Sequence, residues 1–381
     1  MTGFWSEEQL ALQQTARAFV VAEVLPHLQA WEDAGAVPRE LHVSAAKLGL
    51  LGLGVPEELG GSGGTFLDAL AVTEAFTEAG ASSGLLAALF TAGIALPHIV
   101  ASRNADLVDR FVRPTLAGET IGSLAVTEPG GGSDVADLRT TAVRDGDVYV
   151  VNGTKTFITS GVRADFVTTA VRTGGPGHRG ISLLVVEKGT PGFTVDRSLA
   201  KMGWHCSDTA ELGFADARVP VTNLVGGENT GFAQIAQAFV TERLALAAHG
   251  YGIAARALAL TADHCRSRRT FDRPLDANQV VRHRLVAMHR RVDVARTYTR
   301  AVAARYVAGE QPLVEALHAK ALAVDAASYV CDQAVQLHGG TGYLHGTEVE
   351  RHYRDARILG IGGGATEVLD DLSARLLGYT P

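Results

Sequence analysis

The chain has 381 residues, 46% of them hydrophobic and 20% charged, and a formal net charge of −7. This is enough apolar material for large cores and excludes disorder as the main state. The acidic balance, without any long Lys/Arg run, argues against a nucleic-acid binder, and three widely spaced cysteines (Cys206, Cys265, Cys331) without a CxxC argue against a disulfide or zinc scaffold.

From Ser6 to about Gly118 apolar residues recur at helical spacing, as in Leu10, Ala11, Gln14, Ala18 and Val21. Glycine and proline punctuate this block between Gly49 and Gly64. The acidic start, with Glu7 and Glu8, does not read as a secretory leader. Ala79 to Ser102 carries no formal charge, but its Ser, Thr, Gly, Pro and His content reads as a buried helix and not a membrane span. From about Glu119 to Gly231 the pattern turns to strands. Val148–Val151 and Lys155–Thr159 read as two strands joined by an Asn152-Gly153 turn. Phe166–Val171 and Ile181–Val186 are further strands, and Thr209–Phe214 alternates inward and outward. Beyond Phe232 long helical runs return, broken near Pro274, Pro312 and Gly339–Gly346. The expected organisation is α+β: a helical domain over 1–118, a central β-domain of packed sheets over 119–231, and a helical bundle domain over 232–381.

Two glycine motifs are set aside. Gly175–Gly180 is a literal GxGxxG, but a strand follows it instead of a helix, so it reads as a loop. Gly60–Gly64 is a literal GxSxG without the strand a nucleophile elbow requires. His338, alone beside two glycines, reads as a turn residue. The informative segment is Thr127-Glu128-Pro129-Gly130-Gly131-Gly132-Ser133-Asp134. Its glycines let backbone approach a flat or phosphorylated ligand, and its hydroxyls supply donors. Lys155–Gly161, Lys201–Leu212, Arg268–Phe271, Gln336–Tyr343 and Arg354–Ile358 follow it in order.

In this order and spacing the sequence resembles the acyl-CoA dehydrogenase family over essentially the whole chain. The resemblance implies bound FAD, an acyl thioester usually on coenzyme A, an electron-transferring flavoprotein as oxidant, a C-terminal four-helix bundle and a homotetramer. It places Thr127 and Phe157 near the flavin ring, Thr159 at its N5 edge, and Ser133 near both the FAD pyrophosphate and the substrate. Arg268, Phe271 and Gln279 correspond to residues that reach the FAD of a neighbouring subunit, and Gln336 and Gly340 to those on the adenine side. Glu367 keeps a polar side chain beside Ala365, where the family commonly has a cofactor-contacting threonine. Asp272 replaces a glycine usual after Thr-Phe, which puts the local turn in question. Leu85–Ala95, apolar and small, is expected to floor the acyl pocket.

The reaction needs a carboxylate to take the thioester's α-proton while the β-carbon delivers hydride to the flavin. Many family members carry it just after the Arg-Asp-Ala motif, but here that position is Gly363, which offers only its backbone N–H, to the thioester oxygen. A second family arrangement places a glutamate before an arginine on a C-terminal-domain helix, and Glu242-Arg243 fits it. Phe232, Ile235, Phe239, Glu242, Leu246 and Ile253 share one helical face, and an acid on such a stripe is costly unless paired or functional. The neighbouring stripe, Val240, Leu244 and Ala247, is also apolar, so periodicity alone does not decide. Glu242 is the expected base, with Arg243 and Gly363 on the substrate side, and the overall pattern is most similar to the long-chain and branched-chain members. The alternatives are the same chemistry on a carrier-protein thioester, an oxygen-using flavoprotein, or a non-catalytic relative. No metal site and no nucleic-acid partner are expected, and the expected location is the cytoplasm.

Overall fold

The computed structural model describes residues 3–379. The first helix, α1 (Glu7–Phe19), starts at a capping box in which Ser6 accepts from the Gln9 N–H and Gln9 returns the bond. After it come α2 (Leu28–Ala34), α3 (Arg39–Lys47) and α4 (Phe66–Ala79), the last capped in the same way by Thr65 and Asp68. The helical reading of α1 holds, but its buried face does not follow Leu10, Ala11 and Val21, which are exposed. Ala16, Phe19, Val20 and Val24 lie on the opposite side and enter the core instead.

The uncharged stretch after Ala79 is not one helix. Gly80 turns left-handed at φ +107°, and the chain then breaks into α5 (Ser83–Leu89), α6 (Ala92–Ala95) and α7 (Pro97–Ser102). Ser82 caps α5 and Pro97 restarts the chain as α7. Two short pieces, α8 (Ala105–Leu107) and α9 (Arg113–Leu116), close the helical region.

Seven strands follow: β1 (Gly122–Ala125), β2 (Thr141–Asp145), β3 (Val148–Thr159), β4 (Phe166–Arg172), β5 (Ile181–Glu187), β6 (Phe193–Ser198) and β7 (Thr209–Pro220). They form one sheet in the order β1-β4-β2-β3-β7-β6, with β5 on the other side of β4. The packing expected of the β-domain comes from this single sheet folding over a core that includes Tyr149, Ile158, Val167, Leu184 and Leu212. The expected Asn-Gly hairpin is not formed. Val148–Thr159 is one continuous strand with irregularities at Val151/Gly153 and Lys155/Ile158. The hairpin lies one step earlier, where Asp145 pairs with Val148 around Gly146-Asp147 and Gly146 takes φ +64°. The literal GxGxxG forms the β4–β5 connection, and the GxSxG lies in the loop before α4.

The C-terminal region is built on α10 (Gly231–Ser267), α11 (Gln279–Val307) and α12 (Leu313–His338), with α13 (Glu348–Leu359) and α14 (Thr366–Leu376) completing it. A two-residue-strand hairpin, β8 (Arg269–Thr270) and β9 (Arg273–Pro274), links α10 to α11. Helix α10 buries several stripes. Phe232, Ile235 and Phe239 pack into the core under β4 and β5, while Val240, Leu244 and Ala247 face α4, α11 and α12. By length and composition alone α10 could cross a membrane, but most of its apolar window is buried here. Glu74 of α4 accepts from Tyr251 (2.7 Å) and from Arg300 (2.8 Å), tying the first domain to α10 and α11.

Candidate active site

The glycine-rich loop leaves the end of β1 and crosses to β3, where the Thr127 carbonyl accepts the Thr156 N–H at 2.9 Å. Its fixed point is Glu128. That carboxylate takes the Lys155 ammonium at 2.8 Å, the Thr140 N–H at 2.9 Å and the Arg139 N–H at 2.6 Å. Lys155 is fully buried, and burial pulls its pKa down to about 8 against the raising effect of Glu128. For Glu128 burial pushes upward, but Lys155 and the N–H donors prevail and hold its pKa below the usual carboxylate range. Sequence reading missed both anchors, although a lysine at an inward position of a strand was a visible signal.

Beyond this anchor the loop is open. A Cβ at Gly130 or Gly131 would meet nothing within 4 Å, and the N–H groups of Gly130, Gly132 and Ser133 have no acceptor among the described residues. Ser133 is exposed on the loop, and Thr127 is half-buried at its root. Phe157 sits at the irregularity of β3 with φ +60° and is 69% exposed. A bulky residue seldom adopts that conformation, and it throws the ring out of the sheet beside Thr127. Thr159 ends the same strand, its carbonyl accepting from Ser123 at 2.5 Å.

The second centre lies on α10. Glu242 is half-buried, but protein surrounds the carboxyl on most sides, and burial raises its pKa above the ordinary 4.5 against the lowering effects of Arg243 and Lys320. No hydrogen bond from the described residues contributes to that shift. Gly363 lies opposite, in the turn between α13 and α14, at φ +64°. A methyl group there would stand 3.3 Å from Glu242 Oε1 and would overlap Leu246 Cδ1. The two alternative origins of a catalytic acid, the long helix and the tail segment, therefore converge on one spot.

Arg243, expected on the substrate, is enclosed instead. Its guanidinium lies 3.9 Å over the Phe239 ring, and its Nε and Nη1 are buried without an acceptor among the described residues. Adjacent residues of a helix point about 100° apart, so Arg243 turns inward when Glu242 faces the turn. Lys320 of α12, not anticipated from sequence, donates to the Gly362 and Gly364 carbonyls, each at 2.6 Å. Its signal was a lone lysine on an alanine face formed by Ala316, Ala319, Ala323 and Ala327.

The remaining expected residues cluster elsewhere. Arg268 caps the end of α10, Phe271 is 96% exposed at the hairpin tip, and Gln279 opens α11. Gln336 and Gly340 are exposed at the end of α12, which meets the end of α10 through stacked His264 and His338 rings, 4.3 Å apart. From Glu242 to Arg268 is 26 residues, ~39 Å along the helix. The two groups lie at widely separated levels of α10. The turn questioned at Asp272 survives: Phe271 and Asp272 take φ +50° and +62°, as a two-residue hairpin requires. Glu367 is exposed in the first turn of α14.

Family models match consecutive parts of the chain: the acyl-CoA dehydrogenase N-terminal domain over residues 6–119, the middle domain over 123–217 and the C-terminal domain over 229–378. The mitochondrial long-chain specific acyl-CoA dehydrogenase of Rattus norvegicus is 36% identical over 97% of this chain and 86% of its own. The isobutyryl-CoA dehydrogenase of Bos taurus is 35% identical over 98% and 89%. A crystal structure from Mycobacterium smegmatis is 59% identical, superimposes with a TM-score of 0.98, and covers 99% of this chain and 100% of its own. With three matched domains and a whole-chain fold in common, the chain belongs to the acyl-CoA dehydrogenase family, oxidoreductases that carry out FAD-dependent dehydrogenation of acyl-CoA thioesters.

Proposed function

We propose that this acyl-CoA dehydrogenase forms a trans-2-enoyl-CoA using Glu242 as the base that removes the α-proton. The observation that carries the reading is the approach of Glu242 Oε1 to the space beside Gly363, where a tail-segment acid would otherwise act. Burial makes Glu242 a stronger base than an exposed glutamate, which suits a weakly acidic C–H bond. The Gly363 N–H, without an acceptor among the described residues, is placed to donate to the thioester oxygen as negative charge builds there. Arg243 and Lys320 offset part of the cost of ionising Glu242 in this enclosed position.

The residues of the glycine-rich loop and β3 fit a flavin. They offer an exposed aromatic ring at Phe157, hydroxyls at Thr127, Ser133 and Thr159, and uncommitted backbone N–H groups. FAD, when bound, supplies the acceptor for the β-hydride. Arg268, Phe271, Gln279, Gln336 and Gly340, a helix-length away, serve the flavin of a neighbouring subunit, which supports a homotetramer. Glu367 lies near the cofactor from the α14 side. An electron-transferring flavoprotein takes the electrons onward, the pathway is fatty acid breakdown, and three free buried cysteines support a cytoplasmic setting.

The test is anaerobic bleaching of the flavin by acyl-CoA thioesters of different length and branching. Glu242→Gln should keep its flavin yet be reduced at least ~10³-fold more slowly. Unimpaired bleaching refutes the assignment.

A further inference from the structure

Lys320 is a buried cation with no carboxylate hydrogen-bonded to it among the described residues. It is 1% exposed, and its ammonium donates to the Gly362 and Gly364 carbonyls at 2.6 Å each. The two bonds flank Gly363. The first has a direct geometric consequence. The Gly362 carbonyl and the Gly363 N–H belong to one peptide unit, which is planar and trans, so the oxygen and the hydrogen point in opposite directions. Holding the oxygen against α12 aims the hydrogen away from α12. The Gly362 N–H is tied to the Ile358 carbonyl at 2.8 Å, but the Gly362–Gly363 peptide unit itself has no hydrogen bond among the described residues other than that from Lys320. The turn residues Gly362, Gly363 and Gly364 carry no side chains, and Gly363 and Gly364 take φ +64° and +96°. Such a run is free to rotate unless clamped.

We propose that Lys320 is a positioning residue: by gripping the Gly362 and Gly364 carbonyls from α12, it orients the Gly363 N–H as the donor to the substrate's thioester oxygen. The proposal rests on the function assigned above. It also accounts for an ammonium in an otherwise alanine-lined face, where a buried charge is costly without strong acceptors. Carbonyl acceptors, unlike a carboxylate, leave the positive charge uncancelled. The charge therefore still acts on Glu242 and on the negative charge that develops when the α-proton leaves.

The test uses the FAD-loaded enzyme and a thioester analogue with sulfur in place of the β-carbon. This analogue can lose its α-proton but cannot deliver a β-hydride, so its long-wavelength charge-transfer band reports proton removal alone. Lys320→Met should keep a full complement of flavin while binding of the deprotonated analogue weakens about 10- to 100-fold, with the loss in turnover carried by kcat and not KM. Lys320→Gln, which retains two N–H donors, should recover part of the loss, and it keeps the measurement possible if the methionine protein does not fold. An unchanged band in Lys320→Met overturns the proposal, as does a band reduced only in proportion to lost flavin. The base assignment is judged separately. A full band in Glu242→Gln refutes the base, whereas a bound-thioester carbonyl stretch that does not move on adding Lys320→Met to that protein refutes the role of Lys320.

Discussion

At Gly363 a side chain meets two obstacles. The backbone is left-handed, which costs other residues roughly 1–2 kcal/mol, and the space where a methyl would sit is filled by Leu246. Gly363→Ala should therefore push the turn off its Lys320 clamp and slow anaerobic reduction about tenfold with flavin content unchanged; stopped-flow absorbance would show whether it does. Glu242 brings a pH dependence whose sign follows from burial. The carboxylate acts only when ionised, and its pKa lies above the ordinary 4.5. The reduction rate should fall as pH drops through that raised value, and a profile still flat at pH 4.5 would contradict the enclosed base.

Among the elements, β3 does the most for the site. Its irregularities turn Phe157 outward while Lys155 stays inside to meet Glu128, so one strand supplies both the ring and the anchor of the loop. An Asn-Gly pair commonly marks a hairpin, but here Gly153 has φ +148°, outside the turn conformation, and Asp145-Gly146-Asp147 makes the reversal. Local turn chemistry pointed to Asn152-Gly153, and long-range pairing with β7 on both sides of Gly153 overrode it. Removing the anchor should be costly. Glu128→Gln leaves an uncompensated buried ammonium, and breaking such a pair costs about 3–5 kcal/mol. Urea denaturation of this variant should show that loss, together with weakened flavin retention from a loosened loop; an unchanged midpoint would mean that the pair is not holding the loop.

Across the whole molecule, buried histidines make stability sensitive to acid. His42, His98 and His249 lie in three different elements, and burial is the largest cause lowering each to about 4 from 6.5. The unfolded chain thus takes up protons between those values while the folded chain resists them. Their contribution is intact above pH 6.5 and is lost as pH falls through 4, at roughly 3 kcal/mol each in the limit. Asp355, raised by burial and by the neighbouring Glu32, acts in the opposite sense, with stability present at low pH and lost as pH rises. Glu242, raised by burial, acts as Asp355 does, while His352 and His264, also lowered by burial, add to the other three, so the melting temperature should drop between pH 6.5 and 4, and His98→Gln should blunt that slope. At the same scale, ~39 Å of helix separates Glu242 from Arg268, which fits the role proposed for the exposed cluster at the α10–α11 hairpin across a subunit boundary. Light scattering should give the mass of a tetramer, and a monomer carrying full flavin would rule that arrangement out.

Sequence alone carried the order of the domains, the family and the pairing of Glu242 with an empty tail position. Each is written in residue order, in helical spacing, or in which residue type stands at a motif. It could not say which stripe of α10 faces the site, because Val240, Leu244 and Ala247 read as apolar as Phe239 and Leu246. Nor could it show that Lys320 grips the Gly362–Gly364 turn, or that Arg243 lies enclosed over Phe239. Those depend on which helices become neighbours. Contacts between residues distant along the chain are set by how α10, α12 and the α13–α14 turn share a single volume, and only the packed molecule makes that choice.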